Sequence, residues 1–171
     1  MNLIPLPAFS DNYIWLLQHQ GLALVVDPGD STPVDNWLAA NNHKLDCILV
    51  THHHGDHTGG VAKLQQHWGA KVYGPAHEKL PFEFQALAQG NQFSWLGLNF
   101  QTLDVPGHTA GHIAYFAEPD GQELCFFVVT RFSLVAAVAC LRALHSRCSI
   151  HWIGWPHCQA LRAFAAPTST H

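Results

Sequence analysis

Residues 47–61 read CILVTHHHGDHTGGV: a short apolar run that stops at a threonine and opens into four histidines and an aspartate. The run Cys47–Val50 predicts a buried strand, so His52 to His57 fall in a loop at its C-terminal end, where open α/β sheets gather their sites. His52 and His54 are two apart, and extended backbone turns both rings the same way while His53 points elsewhere. Gly55 permits a tight turn that brings Asp56 and His57 round to a neighbouring position. One loop thus offers two candidate ligand pairs, His52 with His54 and Asp56 with His57. Imidazole and carboxylate donors suit zinc, and iron or manganese less selectively; a catalytic zinc takes three protein ligands, so each pair needs help from elsewhere. The bland alternative is a metal-sticky tract of loop histidines.

A second motif, PGHTAGH at 106–112, follows another predicted strand. His108 is a candidate third ligand for the first pair, or an ordinary turn residue. His112, at the start of the next strand, is expected to make structural hydrogen bonds. Asp27, in VVDPGD, either orients a ligand histidine from behind or caps a turn. His53 is expected to be a satisfied structural histidine, and His19, His43, His67 and His77 surface residues.

Around these motifs the chain predicts a hairpin of Tyr13–Gln18 and Leu22–Val26, and a helix from near Thr32-Pro33 with Val34, Trp37 and Leu38 on one face. A second helix follows between Gly59 and Trp68, then a strand at Lys71–Tyr73. A hairpin around Gly97 spans Phe93–Val105, with further strands at His112–Phe116 and Leu124–Val128. Strand–helix alternation followed by strand pairs predicts α+β architecture: two packed sheets with helices outside.

The 171 residues are 48% hydrophobic and 12% charged, enough for one domain with a sizeable core. No apolar run reaches the length of a membrane span, and the N-terminus lacks a signal-peptide pattern. The five cysteines form no CxxC pair, so core thiols are expected rather than a disulfide frame. A formal charge of −4 without a basic patch argues against nucleic acid. The expectation is a cytoplasmic monomer with no membrane and no nucleic-acid partner.

Taken together, AFSDNYIWLL at 8–17, VVDPGD at 25–30, THHHGDHTGGV at 51–61 and VPGHTAGHIAYF at 105–116 resemble the metallo-β-lactamase fold superfamily and, within it, the glyoxalase II family of hydroxyacylglutathione hydrolases. That resemblance implies an αββα sandwich over residues 1–127 holding two metal ions, normally zinc. His52, His54 and His108 would bind the first ion, and Asp56 and His57 the second. Asp27 and His112 would support them. A metal-bound hydroxide would hydrolyse the small-molecule glutathione thioester S-D-lactoylglutathione to glutathione and D-lactate, the second step of methylglyoxal detoxification, with no separate catalytic side chain. Alternatives are a mononuclear iron persulfide dioxygenase of the same superfamily and a non-catalytic metal-binding fragment.

The resemblance stops near residue 127. The family continues with GDTLFS, whose Asp bridges the metals, and later CAHEYT, whose His completes the second site; neither is present. All acidic residues and lysines lie within 1–123, and all four arginines lie after 128. Where GDTLFS belongs the chain reads VTRFSL at 129–134. The codons GGT GAC ACG CTT TTC TCT, read one base later, give that sequence. CAHEYT encoded as TGC GCC CAC GAG TAC ACA C, shifted likewise, gives APTSTH, which is residues 166–171. Residues 128–171 are therefore expected to be an out-of-frame tail, with the family's helical C-terminal domain absent and activity of the chain as written doubtful.

Overall fold

A computed structural model describes residues 1–10 and 12–117 and the strand Leu124–Phe126. The expected boundary near 127 and the tail at 128–171 lie outside the described residues. The described residues form two sheets, the first of six strands and the second of four, with the strands of the first in chain order across the sheet and those of the second in reverse.

In the first sheet, β1 (Asn2–Ala8), β2 (Asn12–His19) and β3 (Leu22–Val26) form an antiparallel meander. From β3 onward, β4 (Lys44–Leu49), β5 (Lys71–Pro75) and β6 (Gln85–Leu87) run parallel. Parallel neighbours need crossovers. Helix α1 (Ser31–Asn41) links β3 to β4, and α3 (Val61–Trp68) links β4 to β5, after the single turn α2 (Gly55–Thr58). The side chain of Asp30 caps α1 by accepting from the Thr32 amide at 2.9 Å, and Val34 and Leu38 bury its inner face. The second sheet is an antiparallel hairpin, β7 (Gln92–Trp95) and β8 (Leu98–Asp104) joined through Leu96 and Gly97, continued by β9 (Ile113–Ala117) and β10 (Leu124–Phe126).

Two apolar layers hold this together. Between the sheets, Leu17, Leu24, Val26, Cys47 and Leu49 meet Trp95, Phe100, Ile113 and Tyr115. On the other face of the first sheet, Leu16, Val25, Ile48 and Val50 pack under Val34 and Leu38 of α1 and Val61 and Leu64 of α3. The described residues thus supply a helix layer and both sheets of the αββα sandwich. Among them, no helix is long and apolar enough to cross a membrane. Cys47 is a free, buried thiol, as expected of a core cysteine.

The alternation of the strands places Asp27, Thr51 and the turn after β5 at one edge, since parallel strands end on the same side. Two contacts then pin the second sheet to that edge. The Ile113 amide donates to the Thr51 carbonyl at 3.1 Å, and the buried Tyr115 hydroxyl donates to the Val50 carbonyl at 2.8 Å.

Three features differ from the sequence reading. β1 carries no strand signal, because Pro5 and Pro7 within it argue against a central strand; both are exposed on an edge strand, where a missing donor is tolerated. β6 has three residues and too short a pattern to read. Asp56 and His57 come round on the helical turn α2, with the His54 carbonyl accepting from the His57 amide at 3.0 Å, rather than by a tight turn at Gly55. Gly55 has no positive φ and open space beside it.

Candidate metal centre

Three loops at the C-terminal edge of the first sheet, and one from the second sheet, build the site. After β3, Asp27 adopts a left-handed backbone (φ 51°), unusual for a residue with a side chain. The chain then passes close beneath α2: a Cβ on Gly29 would lie 1.8 Å from the Asp56 carbonyl oxygen. Only a glycine allows this approach, which brings the VVDPGD turn against the histidine loop.

Asp27 is wholly engaged. Its Oδ1 accepts from the Thr51 amide at 2.7 Å, and its Oδ2 accepts from the Thr51 hydroxyl at 2.6 Å and lies 3.3 Å from His57 Nδ1. The Thr51 hydroxyl has one hydrogen, and the carboxylate takes it. Thr51 Oγ1 therefore accepts from His52 Nδ1, 2.9 Å away, which leaves His52 Nε2 with a bare lone pair. That nitrogen is buried and has no hydrogen-bond partner among the described residues, and neither has His57 Nε2, although the latter stands at ion-pair distance, 3.3 Å, from Asp56 Oδ2. Buried nitrogens stripped of protein partners call for an electrophile.

His54 and His108 complete the arrangement. His54 Nδ1 and His108 Nε2 lie 2.9 Å apart, and ligand atoms of His52, His54 and His108 all fall within 4.8 Å of one another. Asp27, His52 and His57 form a second such group, fully buried. The sequence-predicted residues His52, His54, His57, His108 and His112 converge, with the His52 ring centroid 4.4–4.9 Å from the other four. Asp56 joins them through His57 and is held by Asn12 Nδ2 at 3.0 Å. The Asp27 carboxylate, for its part, reaches Thr51 and the His57 ring.

The electrostatics follow from crowding imidazoles in a dry place. Burial, then the neighbouring histidines, pushes His52 down to about 2, and burial chiefly pushes His112 down to about 4. His108 is lowered by burial and by His54 and His57. His57 alone of these moves up: burial works against the proton, but Asp27 and Asp56 more than offset it. Burial raises Asp56, yet the Asn12 hydrogen bond and the His57 charge bring it below the usual carboxylate range. His52, His108 and His112 are thus held toward the neutral form, the state in which an imidazole can bind a divalent cation.

A family profile described as Metallo-beta-lactamase superfamily matches residues 8–121. The chain belongs to the metallo-β-lactamase superfamily. Within it, the sequence is 57% identical over 134 residues to the hydroxyacylglutathione hydrolase of Albidiferax ferrireducens, 78% of this chain and 52% of that protein. It is 53% identical over 131 residues to the hydroxyacylglutathione hydrolase of Pseudomonas putida, 75% and 51% of the two lengths. The chain spans about half the length of the curated relatives it matches. Among solved structures, the subclass B3 metallo-β-lactamase of Bradyrhizobium japonicum superposes with a TM-score of 0.58 at 19% identity, covering 67% of this chain and 55% of that one. A metallo-β-lactamase from Cronobacter sakazakii gives 0.60 at 20% identity, covering 73% and 60%. These confirm the superfamily fold, and the glyoxalase II resemblance stands on the closer sequence relatives. Family and donor set together point to a metal cofactor.

Some residues at the site carry no sequence signal of their own. Thr51 and Asn12 sit inside the quoted motifs, where nothing sets them apart from their neighbours. Glu78 lies outside every motif: its carboxylate bonds His53 Nδ1 at 2.7 Å and accepts from the Thr109 hydroxyl. Those hydrogen bonds outweigh burial, which by itself would raise it, and hold Glu78 below its ordinary value. His53 is thus satisfied, as expected, although its ring is half exposed. His67 and His77 are exposed; His19 and His43 are half-buried, His43 through bonds to the Asn41 carbonyl and Gln18.

Proposed function

We propose that this chain carries the metal-binding half of a thioester hydrolase for S-(2-hydroxyacyl)glutathione, releasing glutathione and a 2-hydroxy acid such as D-lactate. The observation that carries the reading is the convergence of His52, His54 and His108 within 4.8 Å, in a chain 57% and 53% identical to two hydroxyacylglutathione hydrolases over 134 and 131 residues. In this reading His52, His54 and His108 hold one zinc ion, while Asp56 and His57 offer donors to a second. When bound, such an ion supplies Lewis acidity and activates water near neutral pH.

The chain's own residues prepare that chemistry. Thr51 fixes the His52 tautomer with Nε2 bare. Asp27 faces His57 Nδ1, whose N–H donates toward it, and so leaves His57 Nε2 turned toward Asp56. His54 and His108 are half-buried, which leaves the cluster open on the side a thioester carbonyl would approach. Thiolate is a good leaving group, so no dedicated acid is needed. The protein is read as a monomeric cytoplasmic enzyme.

Loading the full chain with zinc and following thioester loss from S-D-lactoylglutathione tests this. Two bound ions with turnover support the hydrolase. Bound metal without turnover would sink it for this chain in favour of a metal-binding fragment, and iron-dependent oxygen uptake would favour a persulfide dioxygenase. We further propose that residues from about 128 onward are translated out of frame, supported by the arginine-only composition and the shifted GDTLFS and CAHEYT readings. Resequencing across the codons for 126–131 decides it: a GDTLFS reading one base away is expected, and its absence overturns the idea.

A further inference from the structure

Each ligand loop carries, beside its candidate ligands, one polar residue that bonds elsewhere. In the first loop His53 lies between His52 and His54, its ring edge-on to that of His54 at 4.8 Å. In the second, Thr109 follows His108. Both of these handles end on the same group. Glu78, in the turn after β5, meets His53 Nδ1 with Oε2 at 2.7 Å and the Thr109 hydroxyl with Oε1. Its side chain is 4% exposed, whereas the His53 ring it holds is 49% exposed.

Burying a carboxylate is costly unless every lone pair finds a donor. Neither donor here is a lysine or arginine, so the arrangement gains little as a salt bridge. A stabilising contact alone would be made as well by apolar side chains. What a carboxylate adds is direction: two oxygens, fixed relative to each other, that set the spacing of two loops belonging to different sheets. The backbone is cut to fit it. A Cβ on Gly111 would lie 2.5 Å from Glu78 Cγ and 3.0 Å from the His77 carbonyl, so the 106–112 loop approaches this turn as closely as a glycine permits.

We propose that Glu78 is a positioning residue that clamps the His52–His54 loop to the His108 loop and so sets the geometry of the three-histidine cluster. The inference rests on the metal-centre reading above. It assigns Glu78 no contact with metal or substrate; Glu78 acts through His53 and Thr109 on the residues next to them.

The test is cobalt(II) titration of the metal-stripped full chain, reading the apparent Kd and the shape of the d–d absorption bands, with circular dichroism to establish folding. Supporting residues around metal ligands typically cost about 10–100-fold in affinity when removed. Glu78→Ala is expected to fall in that range and to alter the bands. Glu78→Gln, which keeps one oxygen for His53 and an amide to donate to Thr109, is expected to recover most of the affinity. His53→Ala and Thr109→Val each cut one arm, so each alone is expected to weaken binding and the pair to do little more, since one severed arm already uncouples the loops. A folded Glu78→Ala chain with wild-type affinity and spectrum overturns the clamp. If Glu78→Ala does not fold, unchanged cobalt binding in both single-arm variants overturns it instead. A wild-type chain that binds no cobalt overturns the metal-centre reading and the clamp with it, while wild-type binding untouched by the variants overturns the clamp alone.

Discussion

Two clusters share His52, and they are built on different principles. The group Asp27–His52–His57 is buried throughout and wired internally, with its carboxylate fully committed to Thr51 and His57. The group His52–His54–His108 is half open, and its nitrogens face one another rather than a carboxylate. A carboxylate whose lone pairs are already taken makes a poor ligand and a good brace. The closed cluster therefore reads as the frame, and the open one as the place where a cation and a substrate could meet. Sharing His52 means that the frame sets the tautomer of the working group.

Perturbing the frame should cost stability most. Asp27→Ala leaves the Thr51 amide and hydroxyl and the His57 ring without their acceptor, and breaking a buried charged network typically costs about 3–5 kcal/mol. Urea denaturation of the metal-free chain is the measurement; a loss under about 1 kcal/mol would remove Asp27 from the role of brace. Next comes the open group. His108→Ala should weaken cobalt or zinc binding by more than the roughly 100-fold upper range for supporting residues, with little change in metal-free stability. Equal losses in both quantities would erase the distinction between the clusters.

The smallest effect expected is on pH. His52 and His112 are depressed in the folded state, to about 2 and about 4, from an ordinary 6.5. The unfolded chain then binds more protons below pH 6.5, so stability from these groups is complete above 6.5 and is lost as pH falls toward 4. His57 has the opposite sign, its contribution being present below 6.5 and lost as pH rises through its elevated value. Because the His57 contribution is already complete below pH 6.5, His52 and His112 decide this window, and the metal-free chain should lose on the order of 2 kcal/mol between pH 6.5 and 4. Denaturation midpoints that hold steady or rise on acidification would show that His52 and His112 do not carry this loss.

How much of this could be read in the residues divides along physical lines. The ligand loops were legible because five donor residues in six positions, set directly after an apolar run, form a pattern that little besides a metal site requires. β2 to β5 and the Gly97 hairpin follow from apolar runs punctuated by glycine and proline. The helix turn at 55–58 was not legible, since a glycine followed by three polar residues carries no periodicity. Glu78 could not be found at all: its partners are 25 and 31 residues away, and a glutamate in PAHEK looks like any exposed loop residue until the fold closes around it.

The prolines that concealed β1 have a consequence of their own. Among the described residues, Pro5 and Pro7 stand two apart on the outermost strand, so their missing N–H groups fall along the same side of it. A free sheet edge is an invitation for another chain to add a strand, and a ladder needs donors at regular intervals. With those gaps this border cannot be copied by a neighbour. The feature that hid the strand from pattern reading also makes that border a poor template for a further strand.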